Sequence, residues 1–241
     1  MRSIKVQLDS LVRRVIFTPT MQHFFILFIS LFVCSCSHGS SKQSPPLSSL
    51  VTFPVTQKRV VIIDAGHGGT DQGARASGIV EKKRTLSIAI LTKRELNALG
   101  YRVIFTRDRD DNVPLQRRVA IANRHKDAVF ISIHLNSAPA KEAQGIEIFY
   151  CNKSDKQLVC ESKKLAADIL SGMLEKTGAE SRGVKRGTFH VIRETEVPSV
   201  LVEAGFITNQ DESVKLKNQP YLEKIAAGIA SGIHRYIQDD K

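Results

Sequence analysis

Three polar side chains each stand at the end of a short apolar run, and their residue types are those of a hydrolytic metal site. His67 follows "VVIIDAG", His134 closes "AVFISI", and Glu203 closes "SVLV". Glu81, in "GIVEKK", begins the first long helical pattern. If the apolar runs are parallel strands, all of these side chains meet at one edge of a sheet. Two histidines and a carboxylate can hold zinc, and a further carboxylate can move protons.

The spacing alone does not separate the roles of Glu81 and Glu203, since either carboxylate could bind the metal or act as the base. A single histidine after a strand is most often a turn residue, and a glutamate at a helix start is most often a partner of the helix dipole. Glu203 is harder to explain in this way, because an unpaired carboxylate among buried apolar residues is unfavourable. The common placement of these residues at strand ends therefore favours a site.

The segment "IDAGHGGTDQG", residues 63–73, carries His67 among four glycines, and it could be a phosphate cradle, a metal site or a tight turn. It lacks the Gly-x4-Gly-Lys-Ser/Thr of a P-loop, and it does not open into a helix as a dinucleotide fingerprint does. We expect a turn that presents His67, with glycines that bend the backbone and leave room for a bulky substrate. Asp64 and Asp71 are expected to support the ligands or to shape the turn.

Strand and helix patterns alternate along the chain from residue 58 onward. Continuous apolar runs predict buried strands, and apolar residues at helical spacing predict helices between them. The predicted strands are "RVVIIDA", "YRVIFT", "AVFISIH", "GIEIFY", "TFHVIR" and "SVLVEAGF", and the predicted helices cover residues 82–99, 114–125, 156–177 and 219–237. This pattern predicts an α/β fold: a single twisted, mostly parallel or mixed sheet of about six strands with helices on both faces.

Residues 1–36 have the features of an export segment. A start with basic side chains precedes "FFILFISLFVCSC", which is short for a membrane span and of the size of a signal-peptide core. "VCSC" resembles a bacterial lipobox, with Cys36 as the better lipid acceptor and Cys34 as the alternative. We expect export to the periplasm or cell envelope, either lipid-anchored to the membrane or after simple signal cleavage. Residues 37–57 predict a flexible linker, and residues 58–241 form the predicted catalytic domain.

The chain of 241 residues carries a formal net charge of +11 and has no run of five or more Lys/Arg. Basic side chains spread in this way indicate general attraction to polyanions rather than a nucleic-acid site, so no nucleic-acid partner is expected. The oligomeric state has no signature in the sequence.

Cys151 and Cys160 have two open interpretations. They could form a disulfide in an oxidising compartment, or they could remain two free thiols. Without a second pair of cysteines they do not make a zinc ribbon.

Several segments of the domain occur in an order that is typical of one enzyme family. They are "IDAGHGGTDQGA", "EKKRTLSIA", "TRDRDDNVPLQRRVAIAN", "FISIHLNS", "RGVKRGTFHVIRETEVPSVLVEAGFITN" and the last helix. Together they resemble the zinc-dependent N-acetylmuramoyl-L-alanine amidases of bacterial cell walls (amidase type 3). The resemblance covers nearly everything from Lys58 to Ile237, and the first, fourth and fifth segments are specific in combination.

The resemblance implies a zinc cofactor, with His67, Glu81 and His134 as ligands and Glu203 as the catalytic residue. It implies hydrolysis of the amide between the lactyl group of N-acetylmuramic acid and L-alanine in peptidoglycan, for cell-wall remodelling and daughter-cell separation. Some members of the family carry an inserted helix that plugs the zinc site after the strand that corresponds to "GIEIFY". The short connection in this chain predicts an enzyme without that plug.

Two alternatives stay open at this point. One is a zinc carboxypeptidase, or a dual amidase and DD-carboxypeptidase, that acts on peptidoglycan stem peptides. The short matches in its favour are "KTG" at residues 176–178 and "SDK" at residues 154–156. The chain has no Ser-x-x-Lys of a penicillin-binding enzyme, and Cys160-x-x-Lys163 is the closest match to it. The other is a non-catalytic wall-binding lipoprotein, whose signature would be a broken metal set.

Overall fold

The computed structural model describes residues 59–239. The predicted export segment, residues 1–36, the predicted linker, residues 37–57, and both candidate lipid acceptors, Cys34 and Cys36, lie outside the described residues. Within the part that is described, no helix combines the length and the apolar character needed to cross a membrane.

Six strands form one mixed sheet. They are β1 (Val60–Ala65), β4 (Arg102–Phe105), β5 (Ala128–Asn136), β6 (Ile146–Tyr150), β7 (Ser181–Arg186) and β8 (Ser199–Phe206), and a small ribbon is formed by β2 (Arg75–Ala76) and β3 (Ile79–Val80). The strand order is β4-β1-β5-β8-β6-β7. Strands β4, β1, β5 and β8 are parallel to one another, β6 runs antiparallel to β8, and β7 is parallel to β6. The predicted α/β sheet is confirmed.

Helices cover both faces of this sheet. They are α1 (Glu81–Ala98), α2 (Leu115–Asn123), α3 (Lys156–Thr177), α4 (His190–Arg193), α5 (Gln210–Lys217) and α6 (Gln219–Asp239). Successive residues of a strand point to opposite faces. In β1, Val61 and Ile63 therefore pack in the larger apolar cluster with α1, α3 and α6, whereas Ile62 packs in the smaller cluster with α2 and α4. Burial on both faces explains why the strands are continuous apolar runs.

Helices α3 and α6 approach each other closely through glycines. A Cβ added to Gly228 would lie 2.6 Å from the Cα of Met173, and one added to Gly232 would lie 2.3 Å from the Cα of Ile169. The absence of side chains at these positions lets the two backbones pack directly against each other.

One predicted strand is wrong. "TFHVIR", residues 188–193, contains the short helix α4, whose consecutive residues Val191 and Ile192 are both buried. The sheet instead ends on β7, whose sequence "SRGVKR" is largely exposed or half-buried. An edge strand is paired on one side only and tolerates charged residues, so it carries no apolar run that would reveal it.

Candidate active site

Three side chains of the site lie in one row across the sheet. His134 of β5 is in register with Glu203 of β8, and Glu203 is in register with Glu147 of β6. Neighbouring strands are about 4.8 Å apart, and residues in register point to the same face. The row lies at the carboxyl ends of β5 and β8, which is the edge where polar side chains were expected to meet.

His67 lies in the turn that follows β1, and its backbone is in the left-handed region, with φ 61°. This conformation is uncommon for a residue with a side chain, so surrounding contacts must hold it. Two buried arginines do so. Arg107 Nη2 donates to the carbonyl of Gly66 at 2.7 Å, and Arg118 Nη2 donates to the carbonyl of His67 at 2.7 Å.

Asp71 orients the His67 ring. Its Oδ2 lies 2.8 Å from His67 Nδ1, and its Oδ1 accepts a hydrogen bond from the Gly73 N–H at 3.0 Å. An ionised carboxylate can only accept, so Nδ1–H donates and Nε2 is directed at Glu81, 3.0 Å from its Oε1. Asp71 therefore both supports a candidate ligand and shapes the turn, the two roles that were left open.

The site converges on the carboxylate of Glu81, the first residue of α1. Its Oε1 lies 3.0 Å from His67 Nε2 and 3.0 Å from His134 Nδ1, and it accepts from the Leu135 N–H at 3.1 Å. Its Oε2 accepts from the Ala74 N–H at 2.8 Å. Burial alone would raise the pKa of Glu81, but hydrogen bonds from His134 and His67 outweigh burial and hold the pKa well below its usual range. Glu81 is therefore ionised.

His67, Glu81 and His134 offer ligand atoms that all lie within 4.8 Å of one another. Their two imidazole rings meet edge to face, with centroids 4.8 Å apart. Among residues 59–239 this is the one group of His, Cys, Asp or Glu side chains that could hold an ion. Two nitrogens and one carboxylate oxygen match the donors that catalytic zinc sites use, so the residues present fit that metal.

The glycines of residues 63–73 make room for the site's own side chains. A Cβ on Gly66 would lie 2.4 Å from the His134 ring, and one on Gly73 would lie 2.6 Å from Glu81 Oε2. The other two glycines of the turn pack as closely on residues 111–112. The expectation that these glycines leave space for a bulky substrate is wrong, because protein atoms fill that space.

Glu203 differs from Glu81 because its Oε2 is buried and has no hydrogen-bond partner. Burial, together with the negative charges of Glu81 and Glu147, raises the pKa of Glu203 to about 8, and the nearby His67 opposes this only weakly. The two glutamates that the spacing left equivalent thus sit in opposite environments. One is held as an anion, and the other exchanges its proton close to neutral pH.

Glu147 is a site residue that the sequence analysis did not single out. Its Oε2 accepts from Arg182 Nε at 2.9 Å and from Lys185 Nζ at 2.5 Å, and its Oε1 accepts from Asn136 Nδ2 at 2.7 Å. Burial opposes ionisation, but these cations hold the pKa of Glu147 below its usual range. A signal was present: an acidic residue inside the apolar run "GIEIFY" is the same pattern that pointed to Glu203.

Asp64 lies behind the site rather than in it. It is buried and accepts from Arg118 Nη1 at 2.7 Å, from Thr106 Oγ1 at 2.6 Å and from Ser132 Oγ at 2.7 Å. Because Arg118 also holds the carbonyl of His67, Asp64 fixes the turn through that arginine.

A sequence profile of N-acetylmuramoyl-L-alanine amidases matches residues 61–235. The chain belongs to this family. The catalytic domain of CwlV, an N-acetylmuramoyl-L-alanine amidase from Bacillus (Paenibacillus) polymyxa var. colistinus, aligns with a TM-score of 0.69 and 36% identity, over 75% of this chain and 98% of that one. The resemblance, the fold and the family-level function predicted from the motifs are confirmed.

Two sequence relatives of the amidase differ in length. Bacillus subtilis YqiI, an uncharacterized protein, is 37% identical over 178 residues, which are 74% of this chain and 84% of that one. The N-acetylmuramoyl-L-alanine amidase LytC of B. subtilis is 32% identical over 226 residues, which are 94% of this chain and 43% of LytC. The amidase therefore spans less than half of LytC.

Both cysteines within residues 59–239 are free thiols: Cys151 is buried and Cys160 is exposed. The short matches to a penicillin-binding enzyme do not form one site. Cys160 lies near the start of α3, whereas Lys176 lies at its end, where Gly178 adopts the left-handed conformation that terminates the helix. On one helix these positions are about 24 Å apart.

Proposed function

We propose that this amidase is zinc-dependent, with His67, Glu81 and His134 as the metal ligands and Glu203 as the catalytic base. Its reaction is hydrolysis of the amide between the lactyl group of N-acetylmuramic acid and L-alanine of the peptidoglycan stem peptide. The observation that carries the proposal is the Glu203 carboxylate, whose Oε2 is buried and unpartnered, in register with His134 and beside a convergent His–Glu–His set.

Zinc held by these three side chains would supply Lewis-acid chemistry, which would polarise the substrate carbonyl and lower the pKa of water. Glu203 accepts a proton from the attacking water and delivers it to the L-alanine nitrogen as the C–N bond breaks. In the metal-free protein the pKa of Glu203 is about 8, and a bound cation would favour the ionised carboxylate that accepts the proton. Glu81 keeps its negative charge throughout, and Asp71 holds the His67 ring in place.

Digestion of purified peptidoglycan, with and without a chelator, tests both the reaction and the metal. An amidase releases whole stem peptides that begin with L-alanine, and we expect zinc to restore the activity that the chelator removes. Release of terminal D-alanine alone would favour the carboxypeptidase alternative. Activity that survives complete removal of metal would contradict the zinc assignment.

We also propose that the site works without an inserted plug. Strand β6 ends at Tyr150 and α3 begins at Lys156, and residues 151–155 between them form no helix. Purified protein should therefore hydrolyse peptidoglycan steadily without an activator. Strict dependence on a second protein would contradict this.

The composition of residues 1–36 supports an exported enzyme of the cell envelope, with lipid on Cys36 or Cys34 as the anchored form. Mass spectrometry of the protein from the membrane fraction tests this directly. A mature chain that begins with a lipid-modified cysteine supports anchoring, whereas an unmodified N-terminus after a different cleavage position contradicts it.

A further inference from the structure

Two basic side chains lie beside the active site, on the edge strand β7. Arg182 Nε and Lys185 Nζ both donate to Oε2 of Glu147, at 2.9 Å and 2.5 Å. Glu147 of β6 is in turn in register with Glu203 of β8. Neighbouring strands are about 4.8 Å apart, so the two cations lie one to two strand spacings, about 5–10 Å, from the proposed catalytic base. The reaction proposed above assigns them no role.

This pair of cations carries more positive charge than Glu147 requires. The other carboxylate oxygen of Glu147, Oε1, already accepts from Asn136 Nδ2 at 2.7 Å, and both cations share Oε2. Among residues 59–239, neither cation has another carboxylate within ion-pair distance. The cluster of Glu147, Arg182 and Lys185 therefore keeps one positive charge without a counter-charge.

Both cations also keep hydrogen-bond donors for a ligand. The side chains of Arg182 and Lys185 are 34% and 39% exposed. Besides its bond to Glu147, the Arg182 guanidinium makes one long contact, from Nη1 to the Gln144 carbonyl at 3.4 Å. The guanidinium is held in place because its Cζ also lies 4.9 Å from the ring centroid of the buried Phe206. A donor group that is already oriented loses little freedom when it binds an anion.

The space between the two cations is open. Gly183 of β7, which lies between Arg182 and Lys185 in the chain, is in register with Glu147. A Cβ added to Gly183 would meet no atom within 4 Å. The row of side chains that starts at His134 therefore ends in a gap with a basic residue on either side, where a small anionic group has room to bind.

We propose that Arg182 and Lys185 bind a free carboxylate on the stem-peptide residue that follows L-alanine. This inference rests on the proposed function, since that function places the scissile amide beside Glu203. Each residue of an extended peptide advances about 3.3 Å, so a carboxylate on the next residue lies about 7 Å from the scissile nitrogen. That distance matches the separation of the cations from Glu203. Hydrogen bonds from cations to a carboxylate are stronger than those to a neutral amide, so the pair selects acidic stem peptides over amidated ones.

Hydrolysis of two matched substrates tests the proposal. Both are soluble, uncross-linked peptidoglycan strands with the same three-residue stem. In one, the γ-linked glutamate after L-alanine has its free α-carboxylate, and in the other this group is the α-amide. The wild type, Lys185→Gln and the charge-conserving Lys185→Arg are compared with Lys163→Gln, which removes the same charge from the exposed surface of α3.

We expect the wild type to prefer the free carboxylate by about 10–100-fold in kcat/KM, the range for charged hydrogen bonds. Lys185→Gln should lose about tenfold of this preference, and Lys185→Arg should retain most of it. The loss should appear in KM with kcat nearly unchanged, because the carboxylate is bound equally before and during the reaction. Lys163→Gln should keep the full preference.

Other results would overturn the carboxylate site. Equal kcat/KM of the wild type on the two substrates would show that the carboxylate is not recognised. A lower kcat of Lys185→Gln on both substrates, with their ratio unchanged, would mean that Lys185 only supports Glu147 and its neighbour Glu203. Equal losses of preference in Lys185→Gln and Lys163→Gln would assign the preference to net charge. In each of these cases peptides that begin with L-alanine are still released, whereas a failure of the proposed function releases none from either substrate.

Discussion

Glu203→Gln keeps the shape of the side chain but removes its charge and its capacity to accept a proton. We expect turnover to fall by a factor of about 10²–10⁴, the usual contribution of a general base. The candidate ligands His67, Glu81 and His134 are untouched, so the variant should still bind one zinc ion. Peptidoglycan digestion and metal analysis of the same preparation measure the two effects together.

The same substitution should stabilise the metal-free protein, by an amount that follows from the burial of Glu203. Its pKa rises from 4.5 to about 8 on folding, so the folded state holds the proton more tightly than the unfolded state. The fold therefore loses stability as the pH rises from about 4.5 to about 8, and the loss is complete above that range. Each pKa unit is worth about 1.4 kcal/mol, so the full effect is on the order of 5 kcal/mol.

Urea unfolding of chelator-treated protein measures this effect. Near pH 5 the wild type and Glu203→Gln should have similar free energies of unfolding, and near pH 9 the variant should be more stable by about 4–5 kcal/mol. The exposed Glu142 provides the control, because Glu142→Gln removes the same charge from the surface. Metal must be absent, since a bound cation would itself favour ionised Glu203.

Two results would refute the reasoning about Glu203. If the stability difference between wild type and Glu203→Gln does not grow with pH, the carboxylate is not buried without a partner. If Glu203→Gln loses its zinc while Glu81→Gln retains it, the two glutamates have exchanged roles.

Three further perturbations follow from contacts around the site. Asp71→Asn should weaken zinc binding about 10–100-fold in competition with a chelator, because His67 loses the carboxylate that orients it. Asp64→Asn should lower the free energy of unfolding by about 3–5 kcal/mol in urea at neutral pH, because Arg118 stays buried without its counter-charge. Burial opposes ionisation of Asp64, but Arg118 and hydrogen bonds hold its pKa below 3.8, so the wild-type advantage persists above pH 3.8 and is lost as the pH falls through the folded-state pKa. Gly228→Ala should lower stability by about 1–3 kcal/mol in thermal unfolding, because its Cβ would meet the backbone of α3 at 2.6 Å.

Each of these outcomes can fail independently. Unchanged zinc affinity in Asp71→Asn would mean that the His67 ring is held by other contacts. If the Asp64→Asn protein is as stable as wild type at neutral pH, the buried ion pair does not stabilise the turn. Wild-type stability of Gly228→Ala would show that α3 and α6 can separate without loss.

The sheet was predictable because its central strands are buried on both faces and are therefore apolar without interruption. Strand β7 was missed for the opposite reason: at the edge of the sheet it needs little apolar surface. Glu147 was missed although it lies in an apolar run, because only the pairing of β6 with β8 shows that it stands beside Glu203.

The candidate site residues could be identified from the sequence alone. His67, His134 and Glu203 follow or close predicted strands and Glu81 begins a helix, and these positions lie at the ligand-binding edge of an α/β sheet. The different environments of the two glutamates could not be predicted from the sequence. Glu81 begins a helix and Glu203 lies in an apolar strand, and either context allows a ligand or a base. Folding surrounds the Glu81 carboxylate with His67, His134 and the Leu135 N–H, and it leaves Glu203 Oε2 without a donor. Proton affinity depends on these distant contacts and on burial, and spacing along the chain encodes neither.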